Sequence, residues 1–189
     1  MMVSDGVCYL LGALLLLVLP LDWLLCAAAA ALVHELFHVL ALVCLGGRVR
    51  KIRVSCRGCV IETQPMGDAA AFFSILAGPL GSFALLVFRR QYPRLAVCGA
   101  FQGLYNLLPV MPLDGGRILS LLLGRLWPHH ARKILELTAV LTAAVTGIWL
   151  SALYFSGKAG ISSVLFALFL ILRPVAGKIP CKPARIKVE

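Results

Sequence analysis

The sequence LLCAAAAALVHELFHVLALVCL, at residues 24–45, sets two histidines and a glutamate inside an otherwise apolar stretch. A stretch of this length can cross a bilayer as one helix. In a helix, His34 and His38 lie about 40° apart around the axis and one turn apart along it, so both can bind one zinc ion. Glu35 beside them can serve as a general base. Because ionisable side chains inside a membrane are costly and usually functional, this stretch predicts hydrolysis within or at the edge of the bilayer.

The composition is that of an integral membrane protein. Of the 189 residues, 61% are hydrophobic, and the mean hydropathy is +0.95, whereas soluble domains are nearer half apolar. Apolar segments continue to residue 172, so we do not expect the first one to be removed as a signal peptide. The net charge is +10, but the basic residues cluster between apolar segments, where they meet anionic lipid. No phosphate loop or RNA-binding signature is present, which predicts no nucleic-acid partner.

The hydrophobic segments predict an all-α polytopic membrane protein with about six transmembrane helices. The segments cover about residues 7–19, 23–45, 69–88, 95–108, 134–155 and 161–172. Between the second and third segments, polar and apolar residues alternate over 47–62, which predicts a small membrane-associated β hairpin or sheet. We expect residues 1–172 to form a single domain and residues 173–189 to form a basic cytosolic tail.

The distribution of lysines and arginines along the chain predicts how the protein is oriented in the membrane. If the N-terminus is cytosolic, 14 of the 18 lysines and arginines fall on the cytosolic side, in loops 47–66 and 111–133 and in the tail. The positive-inside rule favours this arrangement, with both termini in the cytosol of a bacterial cell. It places His38 near the cytosolic end of its helix, and the sequence break at 109–117 begins on the same side.

A catalytic zinc ion needs a third protein ligand and an open position for water. Asp114 is the best candidate, because it lies in the break between Pro112 and Gly115. A buried aspartate without a partner is costly there, whereas a metal ion would satisfy it. Four other side chains are weaker candidates, each in a polar or interfacial stretch: Asp22, His129, His130 and Glu136.

The oxyanion that forms during hydrolysis needs hydrogen-bond donors besides the metal. Asn106 lies eight residues before Asp114 and is a candidate donor, with a role as a helix-packing amide as the alternative. Arg117 follows the two glycines and is a candidate for binding phosphate or capping the loop, with an interfacial anchor as the alternative.

Seven cysteines are present. Cys56 and Cys59 form a single C-x-x-C pair in a polar loop, and a zinc ribbon would need a second pair. The cysteines in apolar segments are interpreted as small hydrophobic residues.

Two motifs together resemble the site-2 protease family of intramembrane zinc metalloproteases, peptidase family M50. They are HELFH at residues 34–38 and NLLPVMPLDGGR at residues 106–117, and the second is far more specific than the first. The sequence AGP at residues 77–79 is also similar to the family's Gly-Pro segment, although that motif usually carries Asn where this chain has Ser82. The resemblance covers about residues 30–120.

The resemblance implies a zinc-dependent endopeptidase that cleaves transmembrane or membrane-associated substrates, often to release or activate a transcription or sigma factor. A regulatory membrane protein is a further candidate partner, beside the substrate and the lipid bilayer. A strand such as residues 49–54 commonly pairs with the substrate. The implied roles are one Zn²⁺ per chain on His34, His38 and Asp114, Glu35 as general base, and Asn106 positioning the scissile carbonyl.

Within the family, the chain is most similar to the sporulation subgroup that processes a precursor sigma factor. It has no PDZ module between the two motifs. It also leaves only about 17 residues after the sixth segment, so we expect no CBS domain, which that subgroup usually carries.

Three other functions fit parts of the sequence. A metal transporter could bind zinc with the same residues, but more ligands along a path, and often repeats, would be expected. A catalytically silent scaffold would be expected to lack Glu35 or a ligand, and all are present. The sequence does not support a hydrolase of another class, because it lacks the Gly-x-Ser-x-Gly motif of a serine nucleophile.

Overall fold

The computed structural model describes residues 20–47, 49–55, 58–63 and 66–157. It divides into two compact units, Met1–Asn106 and Leu107–Glu189. The first and sixth predicted segments and the predicted tail lie outside the described residues.

The described residues of unit one form three α-helices, a short 3-10 helix and two strands. In chain order they are α1 (Leu21–Cys44), β1 (Val49–Ser55), β2 (Gly58–Thr63), α2 (Asp68–Ala84), the 3-10 helix (Leu85–Phe88) and α3 (Pro93–Asn106). The two strands pair antiparallel, with Ile52 opposite Ile61 and an irregularity in register between Val49 and Lys51. Among the described residues, β1 pairs only with β2.

Helix α1 turns its polar and small residues inward. Its buried residues recur every fourth position: Ala30, His34, His38 and Leu42. Large apolar side chains such as Leu32 and Leu36 are exposed. This pattern is typical of a membrane helix, in which small residues let helices approach and leucines face lipid.

Helix α2 packs closely against α1 and α3 because glycines stand where the helices approach. A Cβ built on Gly81 would lie less than 3.0 Å from the Phe37 ring of α1, and one built on Gly99 of α3 would lie 2.6 Å from the carbonyl oxygen of Ser82. Helix α2 continues through Pro79.

Unit two contains a non-helical stretch, residues 107–113, followed by α4 (Asp114–Leu126) and α5 (Ala131–Phe155). The stretch folds back on the start of α4. A Cβ on Gly115 would overlap the backbone of Leu107, and one on Gly116 would overlap the backbone of Val110. The two glycines therefore allow the chain to turn tightly into α4, directly around Asp114.

The protein is an integral membrane protein. Among the described residues, three helices are long and apolar enough to cross a bilayer: Leu21–Cys44, Asp68–Phe88 and Ala131–Phe155. Helix α3 has 14 residues and is about 21 Å long, short of the roughly 30 Å hydrocarbon core. The fourth segment, predicted at 95–108, is therefore a helix shorter than a full perpendicular span, which begins at Pro93 and ends at Asn106 before the break.

Candidate metal centre

The two histidines of α1 face the same point inside unit one. Their Nε2 atoms lie 3.2 Å apart, and their ring planes are nearly perpendicular, at 87°. His34 is 2% exposed and His38 is 8% exposed. The helical spacing predicted from the sequence therefore brings two imidazole nitrogens together in a buried place.

The opposite nitrogen of each ring is held by helix α2. Nδ1 of His38 lies 2.8 Å from the carbonyl oxygen of Ser74, and Nδ1 of His34 lies 2.8 Å from the hydroxyl of Ser82. Because a carbonyl oxygen only accepts, Nδ1 of His38 is the donor, and the neutral ring then keeps its lone pair on Nε2. Imidazoles that bind metals are typically oriented in this way, by a hydrogen bond from the other ring nitrogen.

The spacing of the two Nε2 atoms fits a shared zinc ion. Zn–N bonds of about 2.0–2.1 Å in tetrahedral geometry place two ligand nitrogens roughly 3.3 Å apart. The observed separation is 3.2 Å. At 3.2 Å the two Nε2 atoms are also close enough for one ring to donate a hydrogen bond to the other when no cation lies between them. The spacing therefore suits either a hydrogen bond between the rings or a shared metal ion.

Gly78 of α2 lies against the ligating edge of His38. A Cβ built there would fall less than 3.0 Å from Nε2, Cε1 and Cδ2 of the ring. Any larger residue would thus occupy space beside the nitrogen that faces the metal position. The glycine allows the ring to stand between α1 and α2 with Nε2 accessible.

The two remaining candidate residues of unit one lie on different helices. Glu35 follows His34 on α1 and is partly exposed, as a base that must reach a water molecule needs to be. Asn106 is the last residue of α3. Its amide nitrogen donates to the carbonyl oxygen of Gln102, 3.1 Å away, and that bond uses one of its two N–H groups.

Asp114 belongs to unit two, where it is the first residue of α4 and is buried, at 5% exposure. One carboxylate oxygen lies 3.7 Å from the guanidinium of Arg117. The positive end of the helix dipole and this arginine both stabilise the ionised form. A carboxylate has two oxygens and about four lone-pair sites, so it can bind a metal and an arginine together.

The weaker candidates for a third ligand have other surroundings. Asp22 forms an ion pair with Arg94 at the start of α1, about 18 Å along the helix from His34. Glu136 pairs with Arg132 at 2.9 Å on the exposed side of α5. His129 and His130 are exposed in the turn before α5.

Three further residues of α2 surround the histidines, and none of them was assigned a role there from the sequence: Ser74, Gly78 and Ser82. Their spacing of four residues places them on one face of a helix, about 40° apart from one to the next. That spacing is the signal that could have identified them. The spacing alone does not identify the site, because it does not say which helix this face packs against.

Comparisons with known proteins give three similarities. The family model described as "Peptidase family M50" matches residues 70–150. The chain is 29% identical over 156 residues to stage IV sporulation protein FB of Bacillus subtilis (strain 168), an alignment that covers 75% of this chain and 54% of that protein. The chain thus spans about half the length of this relative. The site-2 protease from Methanocaldococcus jannaschii has a similar structure, with a TM-score of 0.58, 19% identity, and coverage of 92% of this chain and 87% of that one. At that identity the similarity shows the fold.

Proposed function

We propose that the chain is a member of peptidase family M50 and acts as a zinc-dependent intramembrane endopeptidase that cleaves a transmembrane or membrane-associated substrate. The observation that carries the proposal is the pair of buried imidazoles on α1, whose Nε2 atoms are 3.2 Å apart. The family consists of zinc metalloproteases, and an apolar helix that displays such a pair is unusual unless it binds a metal.

Zinc is proposed to bind His34, His38 and Asp114. Two imidazoles and one carboxylate form a donor set that zinc takes in catalytic sites with an open fourth position. Asp114 is supported by its burial and by its position at the start of α4, whereas the other four candidate ligands are exposed.

The chain's own residues then have distinct roles in hydrolysis. Glu35 accepts a proton from the attacking water and returns it to the leaving amine. Asn106 donates an N–H to the scissile carbonyl oxygen as that oxygen becomes negatively charged. Bound zinc would supply Lewis-acid polarisation and a lowered pKa for the water. The apolar surroundings strengthen each of these electrostatic contacts.

The finer predictions about topology and biological role are also part of the proposal. We propose about six spans in one domain over residues 1–172, with both termini in the cytosol of a bacterial cell. Similarity to a sporulation protein supports a role in sporulation, and we propose release or activation of a transcription or sigma factor as the outcome of cleavage. A regulatory membrane protein would control the reaction.

A substrate helix must be extended before it can be hydrolysed, and strand β1 offers a way to hold it so. In a two-stranded sheet each strand has one edge without a β partner, and such an edge can pair with another chain. Among the described residues, β1 pairs only with β2. We propose that the substrate adds to β1 at the membrane face.

Proline substitutions at neighbouring positions of β1 should separate strand addition from sheet formation. Consecutive N–H groups of a strand point to opposite edges, so of Ile52→Pro and Arg53→Pro one removes a donor toward β2 and the other removes a donor on the outer edge. We expect the outer-edge variant to raise KM severalfold, as loss of about 1 kcal/mol of hydrogen bonding implies, with unchanged zinc content. Unchanged KM in both variants would exclude strand addition at β1.

Replacement of the third ligand tests the metal centre directly. The wild-type protein in detergent should contain one zinc per chain, and a chelator should stop cleavage until zinc is restored. Asp114→Ala should lower zinc affinity by at least about 100-fold, because a site with two protein ligands is incomplete. The matched control is Glu136→Ala, which removes an exposed carboxylate of the same unit. Equal metal content in the Asp114 variant and the wild type would mean that another residue is the third ligand.

A further inference from the structure

We propose that Ser82 is the positioning residue for His34: its hydroxyl accepts a hydrogen bond from Nδ1–H and so directs Nε2 toward the metal. The proposal rests on the proposed zinc site and extends it to a residue outside the set of ligands and catalytic groups.

The contact itself has the geometry of a strong, fixed hydrogen bond. The Nδ1 atom and the hydroxyl oxygen are 2.8 Å apart. Ser82 has no exposed surface and His34 is 2% exposed, so water cannot easily replace either partner. If the Ser82 hydroxyl were removed, Nδ1 of His34 would lose this hydrogen bond but keep its full desolvation cost.

The position of residue 82 is fixed from two sides. It lies on α2, which faces α1 at the Gly78 and Gly81 contacts, and its backbone carbonyl lies against α3 at Gly99, where a Cβ would come within 2.6 Å. The hydroxyl is therefore held on a packed backbone. A hydrogen bond from such a support fixes both the rotation of the imidazole ring and the nitrogen that carries the proton.

The two histidines differ in how they are held, and this makes Ser82 the informative residue. Nδ1 of His38 donates to a backbone carbonyl, that of Ser74, which no side-chain substitution removes. Nδ1 of His34 depends on a side chain. A carbonyl can only accept, whereas a serine hydroxyl can accept or donate. The proposal assigns the accepting role, since a donating hydroxyl would leave the proton of the neutral ring on Nε2 and block metal binding.

A simpler interpretation is that Ser82 is only a small residue that lets α2 and α3 pack. Alanine at position 82 would serve that purpose equally well. The two roles therefore differ in what Ser82→Ala does: a packing role predicts little change, and a positioning role predicts a weaker metal site.

The test compares Ser82→Ala with Ser74→Ala in the full-length protein, purified in detergent and stripped of metal. Both changes remove one buried hydroxyl from the same helix, but only the first removes a partner of a histidine, because the Ser74 carbonyl remains. Zinc affinity is measured by competition with a chromophoric chelator. We expect Ser82→Ala to lower it by about 10–100-fold, as loss of an outer-shell partner typically does, and Ser74→Ala to change it by no more than about threefold.

Two further measurements distinguish positioning from damage to the fold. Nitrogen-15 chemical shifts of His34 in the zinc-free protein report which ring nitrogen is protonated, and Ser82→Ala should raise the population with the proton on Nε2. Visible spectra of the Co²⁺-loaded proteins should differ between Ser82→Ala and wild type. Thermal unfolding of the zinc-free proteins should give similar midpoints for both variants.

Equal zinc affinity of Ser82→Ala and wild type would overturn the inference, and so would an equal loss in both variants, which would indicate a packing effect. Failure of the proposed function would appear elsewhere, in a wild-type protein that binds no zinc at all.

Discussion

Glu35→Gln is expected to lower the rate of substrate cleavage by about 10²–10⁴-fold, the range that a positioned acid–base group contributes, while zinc stays bound. Glutamine has the shape of glutamate but cannot accept a proton from water. Because Glu35 is not among the proposed ligands, zinc affinity should remain near that of the wild type. The measurement pairs metal content with cleavage of a single-span membrane substrate reconstituted in lipid vesicles.

The matched control for this change is Glu136→Gln. Glu136 is exposed on α5, where it pairs with Arg132, and loss of an exposed ion pair costs at most about 1 kcal/mol. The cleavage rate of the Glu136→Gln variant should therefore stay within about twofold of the wild type. Substantial cleavage by Glu35→Gln would mean that Glu35 is not the general base. Loss of zinc from that variant would mean that Glu35 is a zinc ligand.

The second large effect is expected for Gly78→Ala. The added methyl group would fall less than 3.0 Å from three atoms of the His38 ring, including Nε2. The ring must rotate or α1 and α2 must separate, and either movement takes Nε2 away from its 3.2 Å spacing with His34. We expect zinc affinity to fall by more than about 100-fold, beyond the usual loss from an outer-shell change, and cleavage to fall with it.

Two other glycine substitutions show whether the effect is specific to the metal centre. Gly124→Ala lies inside α4, where a Cβ meets nothing within 4 Å, and it should stabilise the helix slightly. Gly81→Ala would press on Phe37 from the same helix as Gly78. It should lower the thermal unfolding midpoint through overpacking, at about 1–3 kcal/mol, with a smaller loss of zinc affinity. If Gly78→Ala bound zinc as tightly as wild type, the close packing against His38 would not control the ligand.

The helical parts of the fold could be predicted well from the sequence. The second segment, 23–45, corresponds to α1, and the break in the chain before Asp114 lies where two prolines and two glycines interrupt the apolar pattern. The period of hydrophobicity and the positions of proline and glycine determine these features locally. The fourth segment was predicted at 95–108, two residues later than the helix at both ends, because apolar composition continues past Asn106 although the helix ends there.

The sequence by itself identified the residues of the proposed site: His34, Glu35 and His38 at helical spacing in an apolar helix, and a later Asp114 in a specific motif. The shared side of His34 and His38 follows from the sequence because spacing within one helix is a local property of the backbone. Only the tertiary structure decided which groups hold the histidines, since Ser74, Gly78 and Ser82 come from α2, some 40 residues along the chain. Contacts between helices depend on which faces pack together, and hydrophobic periodicity does not encode the partner of a face.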